Sequence, residues 1–209
     1  RIRWIYEDRQ DNIWFGTEDG LAKLPITKPF YQYRHLPLRA TSISGRVVSG
    51  IFEDSNEVVW VGLNGDGFNR IELRSNTITS FKNEGGNKNS LSNNTVNTIY
   101  GDHEGKLWIG TTSGGLNRYH PKTHTFKHYL HDQRDSTSLR SNWVQQILET
   151  HDGKFLVATN DGLQIFDRRR ETFQLFVPDV TDDSESLPLT FSPNALYEDR
   201  AGNLWIGTW

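Results

Sequence analysis

Four histidines stand close together at His120, His124, His128 and His131, and such a cluster invites a metal ion. On a strand His124 and His128 would share one face about 13 Å apart, at roughly 3.3 Å per residue, which is too far for one ion to bridge. "HEGKL" from His103 opens like a zinc-protease motif, but Leu107 stands where the second histidine belongs, and Gly105 marks a hairpin turn rather than a helix. "GTTSGG" from Gly110 misses the nucleophile-elbow spacing by one residue. "GLNGDG" from Gly62 breaks the dinucleotide pattern. Asp8, Asp54, Asp102 and Asp199 are acids that recur at one fixed place, which favours backbone hydrogen bonding in Asx-turns over acid–base catalysis. No catalytic residue, metal ligand or cofactor motif is assigned.

Composition narrows the classes further. With no cysteine there are no disulfides, zinc thiolates or thiol nucleophiles. The net charge of −3, with Arg168-Arg169-Arg170 as the one tight basic run and Glu171 directly after it, gives no nucleic-acid footprint. No apolar run approaches a membrane span.

The elements that carry these residues repeat. "IWFGTEDG", "VWVGLNGDG", "LWIGTTSGG", "FLVATNDG" and "LWIGTW" place Trp14, Trp60, Trp108, Leu156 and Trp205 in register, 46 to 49 residues apart. That period fits a β-propeller blade. Ile5, Ile51, Ile99, Ile147 and Leu196 precede the anchors by nine residues. Each unit reads as four short strands with turn residues between them and no helical period. Glycines fill the first turn at Gly105, Gly153 and Gly202, and Asp11 and Glu57 stand in the same place. The predicted fold is an all-β propeller of four-stranded antiparallel blades at 1–46, 47–94, 95–142 and 143–191, with an incomplete blade at 192–209. The tryptophans are read as packing between blades, and the small residues after them (Gly16, Gly62, Gly110, Ala158, Gly207) as room for a facing group.

Alternating strands put the loops after each second strand on the same face as the loops between blades. The former carry Glu18 and Asp19, Asn64 and Asp66, Ser113, and Asn160 and Asp161; the latter carry Arg46, Asn94, Asn142 and Trp143. Trp143 aligns with Val47, Thr95 and Ser192, so the repeat does not require it. It suits stacking on a sugar ring among amides and carboxylates. The alternative, packing on the adjacent loop, is favoured by the usual burial of tryptophan.

"YEDRAGNLWIGTW" from Tyr197 and "SLSNNTVNTIYGDHEGKLWIGTTSGGLNRYHPKTHTFKHY" from Ser90 resemble the two-component regulator propeller repeat. Ser90-Leu91, Ser138-Leu139 and Ser186-Leu187 ahead of each new blade belong to the same pattern. The resemblance implies seven-bladed propellers in the periplasmic part of bacterial receptors, followed by a β-sandwich, a membrane helix and a kinase or diguanylate cyclase output, with oligosaccharides among the ligands. The chain is then expected to be an arc of a larger ring, with an internal N-terminus. Its partners are a small ligand, the remaining blades or the sandwich domain, and a homo-oligomer if the arc stands alone, because its end faces are apolar. A propeller enzyme of lyase or quinoprotein type, or a plain interaction scaffold, are the alternatives.

Overall fold

The computed structural model describes residues 1–25, 31–37, 39, 41–177 and 191–208. Among them are eighteen strands and no helix. The first sheet holds β1 (Ile2–Glu7), β2 (Ile13–Thr17), β3 (Gly20–Leu24) and β4 (Tyr31–Tyr33). The second holds β5 (Val48–Glu53), β6 (Val58–Leu63), β7 (Phe68–Glu72) and β8 (Thr77–Phe81). The third holds β9 (Val96–Gly101), β10 (Leu107–Thr111), β11 (Leu116–His120) and β12 (Thr125–Tyr129). The fourth holds β13 (Val144–Glu149), β14 (Phe155–Thr159), β15 (Gly162–Asp167) and β16 (Thr172–Leu175), and β17 (Pro193–Glu198) with β18 (Leu204–Thr208) begin a fifth. Every sheet is an antiparallel meander in sequence order. The chain is an all-β partial propeller, as its period predicts. Ser186-Leu187 lies outside the described residues.

The second strands of the three inner sheets are sandwiched, and all six residues of β6 are buried. All five residues of β10 and of β14 are buried. The first strands of successive sheets run side by side, and one apolar cluster fills each junction. Trp14, Val48, Ile51 and Val61 meet at the first junction; Trp60, Val96, Leu107 and Ile109 at the second; Trp108, Val144, Phe155 and Phe166 at the third. Leu156, Leu163 and Leu196 close the fourth. A buried aromatic covers 150–250 Å² or so, worth roughly 4–6 kcal/mol at about 25 cal/mol per Å². The outer faces of the first and fifth sheets remain open: Ile5 is 62% and Trp205 63% exposed.

Three of the small residues after the anchors lie against the next blade. A Cβ on Gly16, Gly62 or Gly110 would stand 2.7, 2.8 or 2.6 Å from a Cγ1 of Val48, Val96 or Val144. The first turn is a tight loop whose last residue adopts a left-handed conformation, filled by Gly105, Gly153 and Gly202, but also by Asp11 and Glu57 at φ near 60°.

The repeated aspartates do hold these turns. Asp102 Oδ1 accepts the N–H of Glu104 and of Lys106, and Asp8, Asp54 and Asp199 do the same for their own turns. Their second oxygen adds a role that the Asx-turn reading omits. It accepts the anchor indole N–H: Trp14 at 2.8 Å, Trp60 at 3.0 Å, Trp108 at 2.9 Å and Trp205 at 3.0 Å. A cation from the third strand covers the ring, with Lys23 4.8 Å from the Trp14 centroid, Arg70 5.8 Å from Trp60 and Arg118 5.9 Å from Trp108. The fourth unit lacks all three groups together: Thr150, Leu156 and Ile165 stand in their places.

Candidate functional site

The loop face forms as strand alternation predicts. Each loop after a second strand is tied to the preceding inter-blade loop: Asn64 N–H donates to the Val47 carbonyl at 2.9 Å, Thr112 to Thr95 at 3.0 Å, and Asn160 to Trp143 at 3.0 Å. The candidate residues therefore lie along one face, but they do not converge on one point. They follow the arc blade by blade, and several serve the loops themselves.

Asn94 Oδ1 accepts the Asn83 N–H at 2.7 Å, and Asn142 Oδ1 accepts that of His131 at the same distance. Glu18 pairs with Arg3, Asp66 with Lys82, and Asp161 with Arg140. Ser113 Oγ accepts from Asn93, and Asn160 Oδ1 from Ser192. Arg46 and Asp19 are exposed at the rim. Trp143 is 43% exposed, so its own loop does not bury it. Around it stand Asn142, Asn160, whose N–H donates to the Trp143 carbonyl, and Ser141, whose hydroxyl accepts the Trp143 N–H at 3.2 Å. An open indole beside amide and hydroxyl groups can stack on a sugar ring while its neighbours bind hydroxyls.

The histidines are held apart. His124 is in a turn with φ of 55°, not on the strand, and its Nδ1 meets the Tyr119 hydroxyl at 2.5 Å. His128 donates to the Ser90 carbonyl and His131 to the Leu139 carbonyl, both at 2.7 Å. Among the described residues no three His, Asp or Glu side chains gather to hold a metal ion.

On the opposite face, the turns between first and second strands carry a row of carboxylates that clasp one blade to the next. Glu149 Oε1 lies 2.6 Å from both the Arg168 guanidinium and His103 Nδ1, and its other oxygen takes the His103 N–H at 2.9 Å. Burial pushes the Glu149 carboxyl up, but these donors prevail and hold it below the ordinary range. Asp8 behaves alike: burial raises it, and the Trp14 and Asn12 donors bring it down. Asp199, held by Trp205 and Asn203, falls to about 2. Carboxylates depressed in the folded state stabilise it fully above their unfolded values near 4, and that contribution disappears as pH falls through the folded values. The midpoint of thermal unfolding should therefore stay level from about pH 5 to 7 and drop below about pH 4. A midpoint higher at pH 3 than at pH 6, followed by circular dichroism, would contradict this assignment.

The family model of the two component regulator propeller matches residues 1–19, 90–113 and 186–209. Those three segments carry the sequence pattern of that repeat. Solved structures extend the likeness of this propeller beyond those segments. An extracellular domain from B. thetaiotaomicron, assigned to the hybrid two component system BT3049, shares 25% identity and a TM-score of 0.79 over 99% of this chain and 27% of its own. A second extracellular domain from that organism, assigned to the one component system BT4673, matches at 20% identity and a TM-score of 0.61 over 100% of this chain and 35% of its own. The propeller thus spans about a third or less of either domain. Virginiamycin B lyase from Staphylococcus aureus shares the fold at 13% identity and a TM-score of 0.68, over 100% of this chain and 63% of the enzyme. No curated protein matches the chain in sequence. No helix among the described residues is long and apolar enough to cross a membrane.

Proposed function

We propose that this propeller is a non-catalytic sensor module from the periplasmic side of a bacterial membrane signalling receptor, and that an oligosaccharide or similar nutrient docks on its loop face around Trp143. The observation that carries the reading is the likeness to the extracellular domain assigned to a hybrid two component system, which runs through 99% of the chain. Further blades, a β-sandwich or a second copy would cover the open faces that expose Ile5 and Trp205. Ligand capture would bias the arrangement of a receptor dimer and through it a cytoplasmic kinase or cyclase.

Thermal unfolding against a panel of neutral oligosaccharides tests the site. One sugar should raise the midpoint, as binding to the folded state alone requires. Trp143→Ala should abolish that rise and change the sugar-free stability by no more than about 0.5 kcal/mol, because the indole is open to solvent. Failure of every sugar to shift the midpoint would remove the ligand reading, and turnover of a sugar would remove the non-catalytic one.

A further inference from the structure

Three of the four junctions between sheets are clasped in the same way. The residue after the turn position of Asp8, Asp102 or Thr150 presents a backbone N–H, and the glutamate that ends the next sheet's first strand accepts it. Arg9 N–H reaches Glu53 Oε2 at 3.0 Å, His103 reaches Glu149 at 2.9 Å and His151 reaches Glu198 at 2.7 Å. At the junction of the second and third sheets the corresponding donor is Ser55, and the place of the glutamate is taken by Gly101. The Arg168 guanidinium, which fills the space beside Glu149, has Pro121 as its counterpart there. Phe52 has changed too: its counterpart Tyr100 accepts the Glu149 N–H through its hydroxyl, whereas the Phe52 ring lies across Gly101 where a Cβ would collide with it.

Without either plug the junction opens into a groove of about 1170 Å³, on the face opposite Trp143. Ser55, Phe52 and Gly101 line it together with Arg70, Lys106 and Arg118. The carboxylates in its wall are already engaged, Asp54 with Trp60, and Asp102 with Trp108 and Arg168. Arg70 and Lys106 each keep one near partner, Glu72 and Glu104. Arg118 stands 3.5 Å from Glu171, and its Nε is buried without an acceptor. A site that lacks the carboxylate its sister junctions contain, and that gathers cations around the gap, suits an acid arriving from solvent.

We propose that the groove between the second and third sheets binds a small carboxylic acid, whose carboxylate meets the Ser55 N–H in the place that a glutamate side chain occupies at the other junctions. The acid supplies from outside the carboxylate that Gly101 lacks, with the Phe52 ring standing where a Cβ at that position would be. The proposal is independent of the Trp143 face.

Isothermal titration of the chain with glutarate, citrate and galacturonate, with galactose as the neutral control, tests it. At least one acid should bind one-to-one with a Kd of about 1 mM or tighter, and more weakly as salt rises; galactose should not bind. Ser55→Pro removes the N–H at the second position of a turn that accepts proline and breaks no other backbone bond of the described chain. It should leave the melting curve unchanged and weaken the acid about tenfold or more. If that variant fails to fold, Arg70→Gln, at a partly exposed side chain, should weaken the acid severalfold. Silence of all three acids, equal binding of galactose, or wild-type affinity in a folded Ser55→Pro variant would overturn the proposal.

Discussion

Replacing Trp108 by alanine should lower the free energy of unfolding by about 3–5 kcal/mol. The indole is wholly buried and lies 5.1 Å from the Phe155 ring, 5.4 Å from Phe166 and 5.8 Å from Tyr129, so truncation empties the centre of the third junction. It also strips Asp102, whose side chain is fully buried, of its indole donor. Asp102→Thr alone should cost about 1–3 kcal/mol, because it leaves the indole N–H buried and without its acceptor. The fourth unit shows how the loss is tolerated. There threonine, leucine and isoleucine replace acid, indole and cation together, and Leu156 is fully buried. The triple replacement Asp102→Thr, Trp108→Leu, Arg118→Ile should therefore cost less than the sum of its single steps, with coupling of about 1–3 kcal/mol. Urea unfolding followed by circular dichroism measures all of these. A Trp108→Ala variant within about 1 kcal/mol of the parent would show that the anchors do not hold the blades.

The period of the blades is legible in the sequence because every blade must offer its neighbours the same two surfaces, so the residues that meet there recur. Val48, Val96 and Val144 on the first strands meet Gly16, Gly62 and Gly110 of the preceding units in one such contact, and both kinds of residue recur at one place in the aligned repeats. The indole–carboxylate bond is harder to see. A column of aspartates is fully explained by turns, and only the joint departure of Thr150, Leu156 and Ile165 from their columns signals that acid, ring and cation form one unit. The glutamate clasp is hidden for a different reason. Glu53, Glu149 and Glu198 sit next to the turn residues Asp54, Thr150 and Asp199 and read as more turn polarity, whereas their partners are backbone N–H groups 44 to 47 residues away. The exception at Gly101 then looks like simple drift, although it opens the groove between the second and third sheets.

The candidate face divides along the same line. Strand alternation suffices to place Asn64, Asn94, Asn142 and Asn160 on one side. It does not tell which amides are free, because Asn94 and Asn142 spend theirs on chain eleven residues earlier. Exposure of Trp143 also depends on how far its loop stands from the next blade, which no column of the repeat encodes.

Gly110→Val should cost about 3 kcal/mol, although valine favours strands and glycine weakens them. The usual propensity gain fails because the site has no space. An added Cβ would stand 2.6 Å from Val144 Cγ1 and 2.7 Å from Thr98 Cγ2, and both neighbours sit on first strands fixed by pairing with their own second strands. Thr98 is the paired neighbour of Gly110 in its own sheet, and Val144 cannot retreat without parting two sheets, so the strain falls on the third junction. The partner that matters is Val144, and the cost should belong to the pair. Val144→Ala alone opens a small cavity and should lose about 1–2 kcal/mol, but added to Gly110→Val it removes the colliding methyls and should restore part of the stability. Ala158 shows that position in its tolerant form: the residue at the place of Val144 in the next sheet is Pro193, and there the chain carries an extra methyl. Denaturant midpoints for the two single variants and the double give the sign directly. A double variant less stable than Gly110→Val alone would mean that the glycine serves its own strand and not the approach of the next blade.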